Sequence, residues 1–122
     1  MTSTEAQGGY DQSLTVITFI GMGGVGASAK QSSASGAPSV TLTTTKAGAL
    51  VFGVGYDWSF AIPRTVGAGQ TMVHQWVDTS VGDTFWAQAW AGKIDNAGTI
   101  VRLSDTAPTG DRWNFASVEI VP

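Results

Sequence analysis

Trp76, Trp86 and Trp90, with His74, Gln88 and Met72 beside them, are the residues of this chain best suited to recognition chemistry. An indole offers a large apolar face and one N–H donor, which suits a sugar ring or a protein interface, and a neighbouring amide or imidazole can bond hydroxyl groups. The six residues fall in Thr71–Asp78 and Thr84–Ala91, two runs that alternate with period two around Thr79–Asp83, where Gly82 favours a turn. That pattern predicts a β-hairpin. Pairing Asp78 with Thr84 puts Trp76 opposite Trp86, His74 opposite Gln88 and Met72 opposite Trp90. All six then share one face, because strand residues two apart point the same way. The reverse face carries Val73, Gln75, Val77, Phe85, Ala87 and Ala89. The simplest use of such rings is core packing, worth about 1.5–3 kcal/mol per buried side chain. One core cannot take both faces, however, and that points to a partner.

The remaining candidates for chemistry are weaker. His74 is the single histidine, and a serine triad would need an acid to orient it where the chain offers Gln75 and Gln88. Gly21-Met22-Gly23-Gly24-Val25-Gly26 spells a dinucleotide-binding fingerprint after an apolar run, but no amphipathic helix follows and no acid lies between Asp11 and Asp57 to hold a ribose. A flexible glycine loop is the better reading. Asp57, Asp78, Asp83, Asp95, Asp105 and Asp111 sit at strand ends and turns, where aspartate bends backbone, and no D-x-D-x-D-G calcium loop appears. Asp57 with Arg64, and Asp105 with Arg112, repeat one spacing and read as ion pairs bracing two Pro-containing loops. Lys30, Lys46 and Lys93 could in principle form an isopeptide link with Asn96 or Asn114. No catalytic residue, metal site or cofactor is assigned.

Behind these residues stands an unusual composition. Of 122 residues 43% are hydrophobic, yet only 12% are charged, about half the usual share of roughly 25%. Ser, Thr, Gly and Gln must therefore face water, or surface must be buried against partners. The net charge of −3 is scattered and no two cationic residues are adjacent. This excludes the basic stripe that nucleic acid requires and disfavours an anionic membrane surface. No run is long enough to insert into a membrane. The absence of cysteine removes disulfides, thiolate zinc sites and thiol nucleophiles.

The elements that must position the hairpin are strands. Residues 1–13 read as a flexible N-terminal arm and residues 14–122 as one β-sandwich domain. Leu14–Ile20 is short, apolar and β-branched and is predicted as a buried strand. Its start, with Glu5, Asp11 and no Lys or Arg, does not fit a secretion signal. Gly21–Ser39 is predicted as a loop. Val40–Thr45 should turn Val40 and Leu42 inward. Ala49–Tyr56 should put Leu50, Phe52, Val54 and Tyr56 on one face, with Gly53 and Gly55 opposite, a sign of close approach by another layer. Asp57–Gln70 is predicted as a loop, and Thr99–Ser104 and Trp113–Val121 as the last strands. About seven strands with turn signals between them define an all-β protein, an antiparallel sandwich or jelly-roll-like fold.

Four stretches, SVTLTTTKAGALVFGVGYDW (Ser39–Trp58), RTVGAGQTMVHQWVDT (Arg64–Thr79), GDTFWAQ (Gly82–Gln88) and DTAPTGDRWNFASVEI (Asp105–Ile120), resemble a β-sandwich repeat module, lectin-like or immunoglobulin-like, of large secreted or surface-attached bacterial proteins. The resemblance implies an extracellular or cell-surface, non-catalytic structural or adhesive role and no catalytic residues. In such modules further strands precede the equivalent of Leu14–Ile20, whereas here only Met1–Ser13 comes before it. That implies an incomplete sheet, open to completion by strand addition. The expected partner is another copy, giving a homo-oligomer or filament, or another protein. The alternative partner is a glycan held on Trp76, Trp86 and Trp90.

Overall fold

Strand formation follows the alternating runs over most of the chain. The computed structural model describes residues 2–9 and 12–122, and these contain no helix. The eight strands are β1 (Gly24–Ser33), β2 (Ser39–Thr43), β3 (Leu50–Asp57), β4 (Thr65–Val66), β5 (Gln70–Asp78), β6 (Asp83–Trp90), β7 (Ile100–Ala107) and β8 (Trp113–Val121). They form a five-stranded sheet in the order β1-β8-β3-β6-β5 and a three-stranded sheet in the order β2-β7-β4. Every pairing is antiparallel. The fold is thus an all-β sandwich. The expected loose arm includes Met1, Tyr10 and Asp11, which lie outside the described residues.

The core lies between the sheets. Val40 and Leu42 of β2 and Val101 and Leu103 of β7 meet Val51, Trp86, Trp113 and Phe115 of the larger sheet. The expected close approach at β3 is present. A Cβ on Gly53 would come within 2.7 Å of Phe115 Cε2 and 2.8 Å of Leu103 Cδ1, and one on Gly55 would fall inside the Trp86 ring. Glycine at these two positions makes room for the two large rings, whose centroids are 5.5 Å apart. Phe52, Val54 and Tyr56 alternate onto the other, outer face, again as expected.

Three expectations are corrected. Leu14–Ile20 is not a strand: it is unpaired, with Phe19 packed edge-on against Phe52, centroids 5.2 Å apart. The predicted Gly21–Ser39 loop instead holds β1, a ten-residue strand paired with β8. The third is β4, a two-residue strand inside the predicted Asp57–Gln70 loop. For β1, tertiary context overrides weak strand propensity. Glu119 of β8 is fully buried and accepts the Ala27 N–H at 2.8 Å, the Thr45 N–H and hydroxyl at 2.8 Å each, and the Lys46 N–H at 3.1 Å. A Cβ at Gly26 would overlap the Glu119 carboxylate, so only a small residue lets β1 approach. Burial alone would raise the Glu119 pKa, but these hydrogen bonds outweigh it and hold the carboxyl below its usual value.

Candidate functional site

The hairpin forms, but in a different register from the expected one. Asp78 pairs with Asp83, so Trp76 lies opposite Phe85, Gln75 opposite Trp86 and His74 opposite Ala87. The turn decides this. The Gly82 N–H donates to the Asp78 carbonyl at 2.9 Å, with Gly82 at φ +89°, and Asp78 Oδ1 accepts the Ser80 N–H at 3.0 Å. One residue of slip turns a whole strand over. A bulge between Met72 and His74 then reverses it again, returning Met72 opposite Gln88 and Gln70 opposite Trp90. The six residues expected on one face are therefore divided. His74 and Trp76 face outward. Met72, Trp86, Gln88 and Trp90 face the core.

The inner group is structural. Trp86 is 3% exposed and Gln88 not at all. The Trp86 indole N–H donates to Gln88 Oε1 at 2.8 Å, and Gln88 Nε2 donates to Gln70 Oε1 at 2.7 Å, which also accepts the Ser104 N–H at 2.9 Å. Gln88 thus links the indole to the facing sheet through Gln70.

The outer group forms part of an aromatic ladder that crosses three strands. Trp76 of β5 stacks on Phe85 of β6 at 5.4 Å and 18°, and Phe85 stacks on Tyr56 of β3 at 4.6 Å and 16°. Trp58 continues the row at 5.4 Å from Tyr56, with the Arg112 guanidinium 5.8 Å from its centroid. The Trp76–Phe85 and Phe85–Tyr56 spacings are close to the distance between neighbouring strands, about 4.8 Å. The rings therefore stand upright on the sheet with their faces turned to each other and their edges to solvent. The Tyr56 hydroxyl donates to Asp83 Oδ2 at 2.6 Å; burial, with the Asp83 carboxylate adding to it, pushes the phenol pKa up to about 12. The sequence does not reveal this row, because the expected register puts Phe85 on the face opposite Trp76 and nothing in the pattern relates Tyr56 to the hairpin. The alternation within β3 and β6 signals them once the register is known.

Below the ladder, an open groove follows the outer face, lined by Lys30, Val54, Tyr56, His74 and Asn114, with Ser13–Thr15 at its side. Lys30 and Asn114 are diagonal neighbours across β1 and β8, but no carboxylate lines the groove to assist a crosslink. Val54 is 59% exposed in its floor. The N-terminal segment above it is also apolar outward: Leu14 and Val16 are each 50% exposed and Ile20 fully so.

A buried charge cluster closes one end of the sandwich. Arg64 pairs with Asp57, as the spacing predicted, and its Nη2 is 3.9 Å from Asp111 Oδ2. Its guanidinium lies 4.9 Å from the Trp86 ring centroid. Burial lowers the Arg64 pKa, opposed by Asp105 and Asp111. The predicted Asp105–Arg112 pair is not made: Asp105 faces Arg64 from the interior and Arg112 is outside, over Trp58. Asp105 is pushed up to about 7 by burial, tempered by Arg64 and Gln88. Asp57 Oδ1 also accepts the Ser59 N–H at 2.7 Å, and Thr84 Oγ1 accepts the Ile62 N–H at 3.0 Å, so the Asp57–Arg64 loop is pinned while Phe60 and Ile62 remain exposed. Among the described residues no group of three or more His, Cys, Asp or Glu side chains is placed to hold a metal ion.

Comparison with protein families, with curated proteins and with solved structures returned no match.

Proposed function

We propose that this chain is a non-catalytic structural or adhesive module of an extracellular or cell-surface protein, working by association with further copies of itself. The observation that carries this reading is the outer face of the five-stranded sheet. Phe52, Val54, Tyr56, Phe85, Ala87 and Val118 give it an apolar character, where the outer face of a free sandwich is usually polar. The segment that crosses it leaves its own apolar side chains in solvent. Contiguous apolar surface of this kind marks an interaction site. The low charge and the likeness to secreted repeat modules support an extracellular setting, and the lone, exposed His74 offers no partnered base for catalysis.

The glycan alternative has less support. Trp86 and Trp90 are turned into the core, and a sugar would need an open ring face where the ladder presents edges. Multi-angle light scattering over a dilution series tests the main reading. Concentration-dependent association is expected, and Val54→Lys, which charges the groove floor, should shift it toward monomer. A strict monomer at high concentration overturns the proposal.

A further inference from the structure

Two parts of this chain each lack what the other offers. Leu14–Ile20 has the β-branched alternation of a strand and is apolar on both sides, Leu14, Val16 and Ile20 on one and Ile17 and Phe19 on the other. Among the described residues it makes no backbone hydrogen bond. β1 is the reverse, a ten-residue strand whose second edge is unpaired at the margin of the five-stranded sheet. Most of its residues are small and it contains no proline; its edge protection is confined to Lys30 and the bulge between Val25 and Ser28, beyond which Ser28–Ser33 runs in regular register with its outer edge open. The other free edges are worse templates. The bulge at Met72–His74 leaves β5 only the five regular positions His74–Asp78, against Ser28–Ser33 in β1, and β4 has two residues and β2 five.

We infer that Leu14–Ile20 is an exchange strand, which pairs antiparallel with the open edge of β1 in a second copy while that copy returns its own segment. This inference rests on the self-association reading and specifies its contact. Segment and edge are separated only by Gly21–Gly23. Gly21 has φ +73°, and the Gly23 N–H donates to the Val121 carbonyl at 2.7 Å, which fixes where β1 begins. A hinge so close to both partners lets one two-fold axis satisfy two identical contacts, the usual economy of an exchanged dimer. Folding the segment back on β1 of the same copy would form the same ladder, but at the outer margin of the sheet. The smaller sheet already ends at β2, packed over β1, so one apolar side would stay bare. Exchange sets that side against the second copy.

The chain has no cysteine, which permits a direct test. Copies carrying Val16→Cys are mixed with differently tagged copies carrying Ser28→Cys; both positions are exposed, so the fold is retained. A parallel mixture uses Thr18→Cys, to allow for the bulge between Val25 and Ser28. Under mild oxidation a mixed disulfide should form in preference to either self-pair. No mixed disulfide in either mixture overturns the exchange, as does a doubly substituted chain that closes only within itself. Light scattering on the unsubstituted protein separates the two proposals: association without the mixed disulfide removes exchange and keeps assembly, whereas a monomer removes both.

Discussion

The indole N–H of Trp86 donates to the side-chain oxygen of Gln88 at 2.8 Å inside the sandwich. Two residues apart on β6, they share the inner face and form one polar unit there. A buried network of this kind is stable when every member is satisfied and costly when one is removed. Gln88→Leu should therefore cost about 2–3 kcal/mol, since the Trp86 N–H loses its acceptor and Gln70 a donor. Urea unfolding followed by circular dichroism measures this, and a near-neutral result would show that the network carries no stability.

Asp105 makes stability depend on pH in a direction opposite to most carboxylates. Its folded pKa of about 7 lies above the ordinary 3.8, so between these values the folded state holds a proton that the unfolded chain releases. Its contribution is intact below about pH 4 and is lost as pH rises through about 7. Asp105→Asn should remove that slope and raise stability at pH 8 by an amount on the order of 1–3 kcal/mol. Denaturant midpoints of both proteins from pH 4 to 8 provide the check; parallel curves would contradict it.

Glu119 acts in the conventional sense. Its folded pKa is depressed, so its contribution is present above the ordinary carboxylate pKa and is lost as pH falls through the folded value. Glu119→Gln keeps the shape but faces its donors with an amide. A loss of about 2 kcal/mol is expected at neutral pH, shrinking in acid. The same denaturant series extended below pH 4 reads the difference.

Gly55→Ala tests the packing of β3 directly. The added methyl would enter the Trp86 ring, and displacing a core indole should cost about 1–3 kcal/mol or more. Gly110→Ala, at a position with open space around it and no positive φ, is the matched control and should change stability by less than about 0.5 kcal/mol. Equal effects in calorimetry would refute the steric account.

Six of the eight strands were legible because alternation survives wherever a strand has one side against a core, as Val40 and Leu42 or Val101 and Leu103 illustrate. Leu14–Ile20 and Gly24–Ser33 were exchanged for a physical reason. Composition records what a strand prefers, whereas the ladder position beside β8 went to the segment whose Gly26 leaves room for Glu119. The candidate site was lost in a single turn. Moving the partner of Asp78 from Thr84 to Asp83 turns β5 over relative to β6, and the bulge at Val73 turns its first residues back. Neither event leaves a mark in the hydrophobic pattern. The Asp57–Arg64 pair was legible from spacing, but its union with Asp105 and Asp111 depends on two loops that only the fold brings together.

Glu119 has one more implication. A single carboxylate ties Ala27, Thr45 and Lys46 to β8, and β1 is laddered to β8 along its length. The bonds that retain the first third of the molecule thus do not depend on the peptide link at Ala34–Ala37. Severed there, the two pieces should remain one body, and supplied separately they should find each other, which makes this protein a natural template for a split reporter.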